Sequence, residues 1–89
     1  MANHKSALKR IRQSERRRKR NQHIRSEMGT MVKRCGEAFE SGDATKAAEA
    51  FQIAERVIRR AATRGVIPRK RADRSVGRLA KRLNGVSAS

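Results

Sequence analysis

Residues Ala2 to Arg25 read ANHKSALKRIRQSERRRKRNQHIR and carry ten Lys or Arg but a single acid, Glu15. The stretch contains neither Pro nor Gly, the residues that most disfavour a helix. At 100° per residue, one side of the predicted helix carries cations at spacings of four and three. This cationic stripe consists of Lys5, Lys9, Arg12, Arg16 and Lys19, flanked by Arg20 and His23. Such a row on a stiff helix is typical of a surface that follows a phosphate backbone.

The alternative for this stretch is a charged helix face that meets only water. Helices of that kind usually mix both signs, because acids four residues from bases form stabilising pairs. With one acid against ten bases, the pattern favours a polyanionic partner.

Composition indicates a small domain that lacks a large core. The 89 residues carry a net charge of +16, only 36% are apolar, and the two aromatic residues are both Phe. Self-repulsion of this size destabilises a compact chain unless a polyanion neutralises it, so nucleic acid is the expected partner. No membrane is expected, because no run approaches 18 apolar residues and Trp is absent. We expect no secretory signal, and the single Cys35 suits the reducing cytoplasm.

Apolar residues predict where the first helix packs. Its second half carries a narrow apolar seam at spacings of four and three, made of Ile24, Met28, Met31, Cys35, Ala38 and Phe39. Before Ile24 the same angular sector is occupied by Arg10 and Arg17, which leaves nothing apolar to bury. The sequence therefore predicts that residues 2–25 project from the bundle as a basic arm, which we expect to be largely disordered in the free protein.

Two short breaks divide the chain into three helices, and no strand pattern competes with them. The first helix is predicted from about Ser6 to Glu40, and Gly42 and Asp43 match a helix terminator and an N-cap. The second spans about 44–64, where Gly65 ends it. Pro68 fits the first turn of the third helix, and Asn84-Gly85 resembles its C-terminal cap.

Apolar residues recur at the same spacing along the second and third helices. They are Ala47, Phe51, Ala54, Ile58 and Ala61, followed by Ala72, Val76, Leu79 and Leu83. Short connections make consecutive helices antiparallel. We therefore predict one all-α domain, an antiparallel three-helix bundle of residues 24–85 with a long first helix projecting as a basic arm, and a frayed tail at 86–89.

Charge is distributed unevenly between the two predicted ends of the bundle. Residues 26–55 hold three bases and six acids, whereas residues 56–89 hold eleven bases and one acid. The acids Glu37, Glu40 and Asp43 surround the first turn. A basic cluster is expected at the second turn, where the arm emerges, and comprises Arg56, Arg59, Arg60, Arg64, Arg69, Lys70 and Arg71.

Motifs for catalysis or metal binding are missing from the sequence, so we predict neither an enzyme nor a cofactor. There is no Gly-rich phosphate loop, no HExxH and no His or Cys cluster with metal-ligand spacing. Cys35 lies on the apolar seam, where a buried small hydrophobe is expected rather than a nucleophile. Gly29, Gly36 and Gly77 indicate close approach either of another helix or of phosphate; packing is favoured for the first two, and Gly77 is left open.

The class of nucleic acid can be narrowed from the same residues. Single-strand binders usually stack bases on aromatic side chains, and this chain has no Trp or Tyr. The third helix is too uniformly basic to resemble a base-reading helix. Recognition of shape and backbone by Lys and Arg remains, which suits folded RNA.

Three blocks of the sequence resemble, in order, the bacterial small-subunit ribosomal protein S-twenty family. They are ANHKSALKRIRQSERRRKRN, GDATKAAEAF and RGVIPRKRADRSVGRLAKRLN. The resemblance implies a non-enzymatic three-helix bundle in the cytoplasmic ribosome, with few or no protein contacts. It also implies binding to the 5′ domain of 16S ribosomal RNA early in assembly, and to its long 3′ minor-domain helix. The chain departs from the family pattern at Pro68, Lys70 and Asp73, commonly His, Asn and Ala.

RNA-binding residues are predicted on two surfaces. The resemblance implies Asn3, Lys5, Ser6, Lys9, Arg10, Ser14, Arg17, Arg18, Asn21, Arg74 and Arg78. Charge patterning gives Lys5, Lys9, Arg12, Arg16, Lys19 and Arg20 on the arm, and Arg71, Arg74, Arg78, Lys81 and Arg82 on the third helix. A helical DNA-compacting protein is the alternative function, and a basic membrane binder is a third, disfavoured because no apolar stripe faces the cations.

Overall fold

The computed structural model describes the backbone of residues 2–88 and the side chains of residues 4–86. Within that range the chain forms three helices and no strand: α1 (Ala2–Glu40), α2 (Ala44–Thr63) and α3 (Arg69–Ala88). The predicted all-α class and the long first helix are confirmed. With 39 residues in α1 and 20 in each of the others, α1 is longer by about 28 Å at about 1.5 Å per residue.

Local chemistry fixes the turn between α1 and α2. Gly42 adopts φ +76°, a left-handed conformation that a side chain would disfavour, and its N–H donates to the Phe39 carbonyl at 3.2 Å. The Asp43 carboxylate then accepts from the backbone N–H groups of Thr45 at 3.0 Å and Lys46 at 3.2 Å. This N-cap satisfies two donors that the first turn of α2 leaves free, so the chain reverses sharply here.

Alanines in α2 let the three helices share a narrow core. Ala47, Ala54 and Ala61 have no exposed surface, and Ile58 is the largest fully buried side chain of the described chain. α2 packs against both neighbours, and the contact between α1 and α3 is confined to a few residues. The buried cluster is completed by Ile24, Cys35 and Phe39 from α1, Val66 and Ile67 from the second turn, and Ala72, Val76 and Leu79 from α3.

Helix boundaries differ from the predicted ones at three places. α1 begins at Ala2 rather than at about Ser6. Pro68 lies just before α3, where its carbonyl accepts from the Arg71 and Ala72 N–H groups at 3.1 Å, so it is an N-cap residue instead of a first-turn residue. The predicted end of α3 at Asn84-Gly85 is wrong, because the helix continues to Ala88 and Val86 packs on the core.

The basic arm extends beyond the bundle without a partner helix. Among the described side chains of α1, Ile24 is the first that is buried, and all those from 4 to 20 are exposed. The radius of gyration is 17.8 Å and the long axis 68 Å, whereas a compact chain of this length has a radius of about 12 Å. The arm is helical in the structure, and the disorder expected of the free protein stays a prediction.

Two mid-helix glycines serve no packing purpose within this chain. A Cβ built at Gly29 or Gly77 would meet no heavy atom within 4 Å. The helix–helix packing predicted for Gly29 is therefore wrong, and the structure excludes packing for Gly77. At Gly36 the nearest contact would be the Arg82 guanidinium at 3.7 Å, an ordinary van der Waals distance to a flexible side chain, so no close backbone approach requires glycine there either.

Replacing Gly29 or Gly77 with Ala should raise the free energy of unfolding of the isolated protein by about 0.5–1 kcal/mol, because Ala loses less backbone entropy in a helix. Urea denaturation measures this effect. Gly65→Ala is the matched control and should destabilise, since Gly65 has φ +75°. A loss of stability in Gly29→Ala would contradict the open space around that residue.

Amide hydrogen exchange of the free protein should separate the arm from the bundle. The arm has only its own helical hydrogen bonds and repelling charges, so its helix should open readily. Amides from Lys5 to Arg20 should exchange much faster than those from Ala54 to Ala61, which lie in the core. Protection in the arm equal to that in α2 would contradict this prediction.

Candidate nucleic-acid interface

The cationic stripe lies on the free part of α1. Lys5, Lys9, Arg12, Arg16 and Lys19 are all exposed, as are Arg10, Arg17, Arg18 and Arg20. Among the described side chains, these nine cations make one ion pair, between Arg18 Nη2 and Glu15 Oε2 at 3.1 Å. That pair is more than half exposed at each partner and contributes little to stability. Eight cations are thus left without a protein counterion.

A shallow depression on the arm brings several family-implied residues together. It is lined by Ser14, Arg17, Arg18, Asn21, Gln22 and Arg25. The first four were predicted as RNA-binding, and they follow one another at spacings of three, one and three around the helix. Gln22 and Arg25 were not predicted. They could have been found from the sequence, because they follow Arg18 by four and seven residues and therefore lie on the same side of the helix.

Polar residues near the start of the arm are only partly described. Ser6 and Arg10 are exposed and line a second shallow depression together with Ala7 and Ile11. The side chain of Asn3 lies outside the described residues, so the structure gives its backbone as helical and nothing more.

Four of the five cations predicted on the third helix form one exposed face. They follow one another at spacings of three, four and three, and comprise Arg71, Arg74, Arg78 and Lys81. Asp73, the only acid in α3, is held by Arg59 Nη1 at 3.3 Å. Its charge is therefore compensated by α2.

Arg82 is placed differently from the other predicted residues of α3. Its guanidinium carbon lies 5.1 Å from the centroid of the Phe39 ring, and its amino groups would be 3.7 and 3.8 Å from a Cβ at Gly36. The Phe39 ring belongs to α1, so Arg82 joins the two helices that otherwise touch least. The charge pattern could not reveal this role, because Arg82 fits the basic face of α3 by spacing alone.

Cys35 of α1 is fully buried. Burial raises the pKa of its thiol, and the nearby Arg82 charge offsets part of that rise. A buried thiol with a raised pKa is a poor nucleophile, and the prediction that Cys35 serves as a small core residue is confirmed.

The basic cluster at the second turn is exposed and meets α1 where the arm leaves the bundle. Arg60 Nη1 lies 4.0 Å from Glu27 Oε1, only three residues after Ile24. The other end of the bundle carries Glu37, Glu40 and Asp43, all exposed. Within residues 4–86, no three His, Cys, Asp or Glu side chains come close enough to hold a metal ion.

Comparison with known proteins adds a finding independent of this geometry. The sequence profile of a family described as "Ribosomal protein S20" matches residues 2–84. A "Small ribosomal subunit protein bS20" of Geotalea daltonii is 53% identical over 87 residues, covering 98% of this chain and all of that protein. Proteins of the same description from Trichlorobacter lovleyi and Geobacillus thermodenitrificans are 51% and 45% identical, covering 94% and 100% of this chain and 97% and 100% of their own lengths.

The placement of Arg82 predicts a stability effect that its neighbours on α3 lack. Arg82→Gln should lower the free energy of unfolding by about 0.5–1 kcal/mol, because it removes the contact with the Phe39 ring. Arg78→Gln is the matched control, since Arg78 is exposed and its replacement should change stability by less than about 0.5 kcal/mol. Equal urea midpoints for the two variants would show that Arg82 does not link α1 to α3.

Proposed function

Since this chain belongs to the ribosomal protein S20 family, we propose that it binds folded 16S ribosomal RNA directly and helps the small ribosomal subunit to assemble. It is a structural constituent of that subunit and not an enzyme. The proposal of direct RNA binding is supported above all by one observation: the basic arm is an exposed helix with eight cations that have no protein counterion. We place its action in the cytoplasm, in the ribosome, with few or no protein contacts.

The arm would lie along RNA backbone through its cationic stripe. A helix keeps its cations at fixed spacing, so several phosphates can be neutralised at once without ordering each side chain separately. Arg17, Arg18, Asn21 and Arg25 offer guanidinium and amide groups within one depression, which suits bidentate contacts to phosphate oxygens. Ser6 and Asn3 would add hydrogen bonds to phosphate or ribose.

A second surface on α3 would bind a different RNA segment. Arg71, Arg74, Arg78 and Lys81 share a face that belongs to the bundle, whereas the cationic stripe lies on the projecting part of α1. Two separate basic surfaces on one helical scaffold can hold two RNA elements together. We assign these elements to the 5′ domain and to the long 3′ minor-domain helix, following the family resemblance. Arg82 would contribute less to this surface than its neighbours, because its guanidinium lies over the Phe39 ring.

Help in assembly follows from the same charge distribution. RNA segments that approach one another repel through their phosphates, and cations placed between them reduce that repulsion. The functional division of the chain into an arm of residues 2–25 and a bundle of residues 24–85 is part of this proposal.

A salt titration of binding to a transcript of the 16S 5′ domain tests the electrostatic mechanism. If six to ten phosphates are neutralised, affinity should fall by about 10³ to 10⁵-fold between about 50 and 200 mM salt. Lys9→Gln should reduce the slope of log K against log salt by about one unit. Glu40→Gln, at the acidic end, is the control and should leave the slope unchanged. A nearly flat titration of the native protein would refute the mechanism.

Nucleotide protection on the 16S RNA tests the assignment of two surfaces. Lys5→Gln with Lys9→Gln should weaken protection at one RNA element, and Arg74→Gln with Arg78→Gln at the other. Loss of the same footprint in both double variants would mean that the two surfaces bind one element.

A DNA-compacting protein would have the same high positive charge and would also lack aromatic residues that stack on bases. Competition between the folded 5′-domain transcript and duplex DNA at equal salt separates the two functions, and preference for the duplex would favour compaction. For a membrane-binding role, no helix within the described residues is long and apolar enough to cross a bilayer. Binding to anionic vesicles tests surface attachment.

A further inference from the structure

Two large apolar side chains are exposed on the arm. Leu8 is 45% exposed and Ile11 59% exposed, in a part of α1 where no described side chain up to residue 20 is buried. At a spacing of three they are neighbours on the helix surface, and Ala7 lies one turn before Ile11. These three residues form the arm's apolar patch.

The apolar patch directly borders the cationic stripe. Lys5 lies three residues before Leu8 and Arg12 four residues after it, so both cations adjoin Leu8 on the helix surface. At its C-terminal end the patch meets Glu15, four residues after Ile11, whose carboxylate is engaged by Arg18 at 3.1 Å. A polyanion that lies against the stripe would therefore touch the patch as well.

The size of the patch decides what can cover it. A stable protein interface needs about 20–30 residues on each side, whereas this patch offers two large side chains bordered by cations. Membrane attachment needs a continuous apolar face, and on the arm that face is limited to Ala7, Leu8 and Ile11. The shallow groove of an RNA helix suits it better, because the groove is wide enough to admit side chains and its riboses carry C–H groups beside the 2′-hydroxyls.

We propose that Leu8 and Ile11 pack against ribose edges in the shallow groove of an RNA helix while the adjoining stripe binds the flanking phosphates. This inference rests on the proposed RNA-binding function and adds an apolar, salt-independent contribution to it. The patch also fixes how the arm is rotated about its axis, because a helix turned by half a revolution would expose both residues to water.

Binding of the 16S 5′-domain transcript by Leu8→Ala/Ile11→Ala, measured across salt concentrations, tests the proposal. Ala preserves helix propensity, and neither residue belongs to the core, so thermal unfolding of the free protein should be unchanged. Affinity should fall on the order of 10- to 100-fold at every salt concentration, with the slope unaltered. Lys5→Gln, in contrast, should reduce the slope of log K against log salt, because it removes a charge that binds phosphate.

Ile53→Ala is the matched control, because Ile53 is 48% exposed on α2, outside both proposed RNA surfaces. It should bind like the native protein. Unchanged affinity in Leu8→Ala/Ile11→Ala, or self-association or vesicle binding of the native protein that this variant abolishes, would overturn the inference while leaving RNA binding intact. If the native protein itself fails to bind the transcript, the proposed function fails, and this inference with it.

Discussion

The apolar seam of α1 ends at Ile24, while the helix begins at Ala2. A helix in a small domain normally ends near the limit of the surface it can bury, because tertiary packing supplies most of its stability. Here about half of α1 continues with nothing to bury, in a sequence of good helix formers without Gly or Pro. The long shape of the molecule, its exposed charge and its need for a partner all follow from that mismatch.

The bundle itself is thin because alanines do much of the packing. Ala47, Ala54 and Ala61 allow α1 and α3 to approach α2 closely, but each buries little apolar surface. A net charge of +16 acts against this modest core. Neutralisation by a polyanion relieves the repulsion, and any ligand that binds only the folded state stabilises it further by mass action. Folding and binding are therefore coupled through charge.

The sequence was sufficient for the architecture because its apolar spacing is regular and its turns have strong local signals. The end of the seam at Ile24, the positive φ of Gly42 and the Asp43 cap could all be predicted from residue type and position. The end of α3 could not, because Val86 packs on the core and the helix continues through the Asn84-Gly85 pair. The packing prediction for Gly29 was wrong, and the contact of Arg82 with Phe39 was not foreseen, for a related reason: spacing places a residue on a face but does not give the distance to its neighbour.

In its helical form, the arm has a property that a disordered basic tail lacks. On a helix, the cationic stripe and the patch of Ala7, Leu8 and Ile11 keep a fixed angle to each other and to the bundle. The acids Glu37, Glu40 and Asp43 lie at the end of the bundle opposite the arm, so a polyanion is attracted more strongly to the arm than to that end. In the proposed complex, an RNA segment drawn to the arm would be led toward the bundle, because the arm leaves the bundle beside the basic cluster of the second turn. Long-range charge would thus orient the approach, and the register of a single helix would set which side chains meet the RNA.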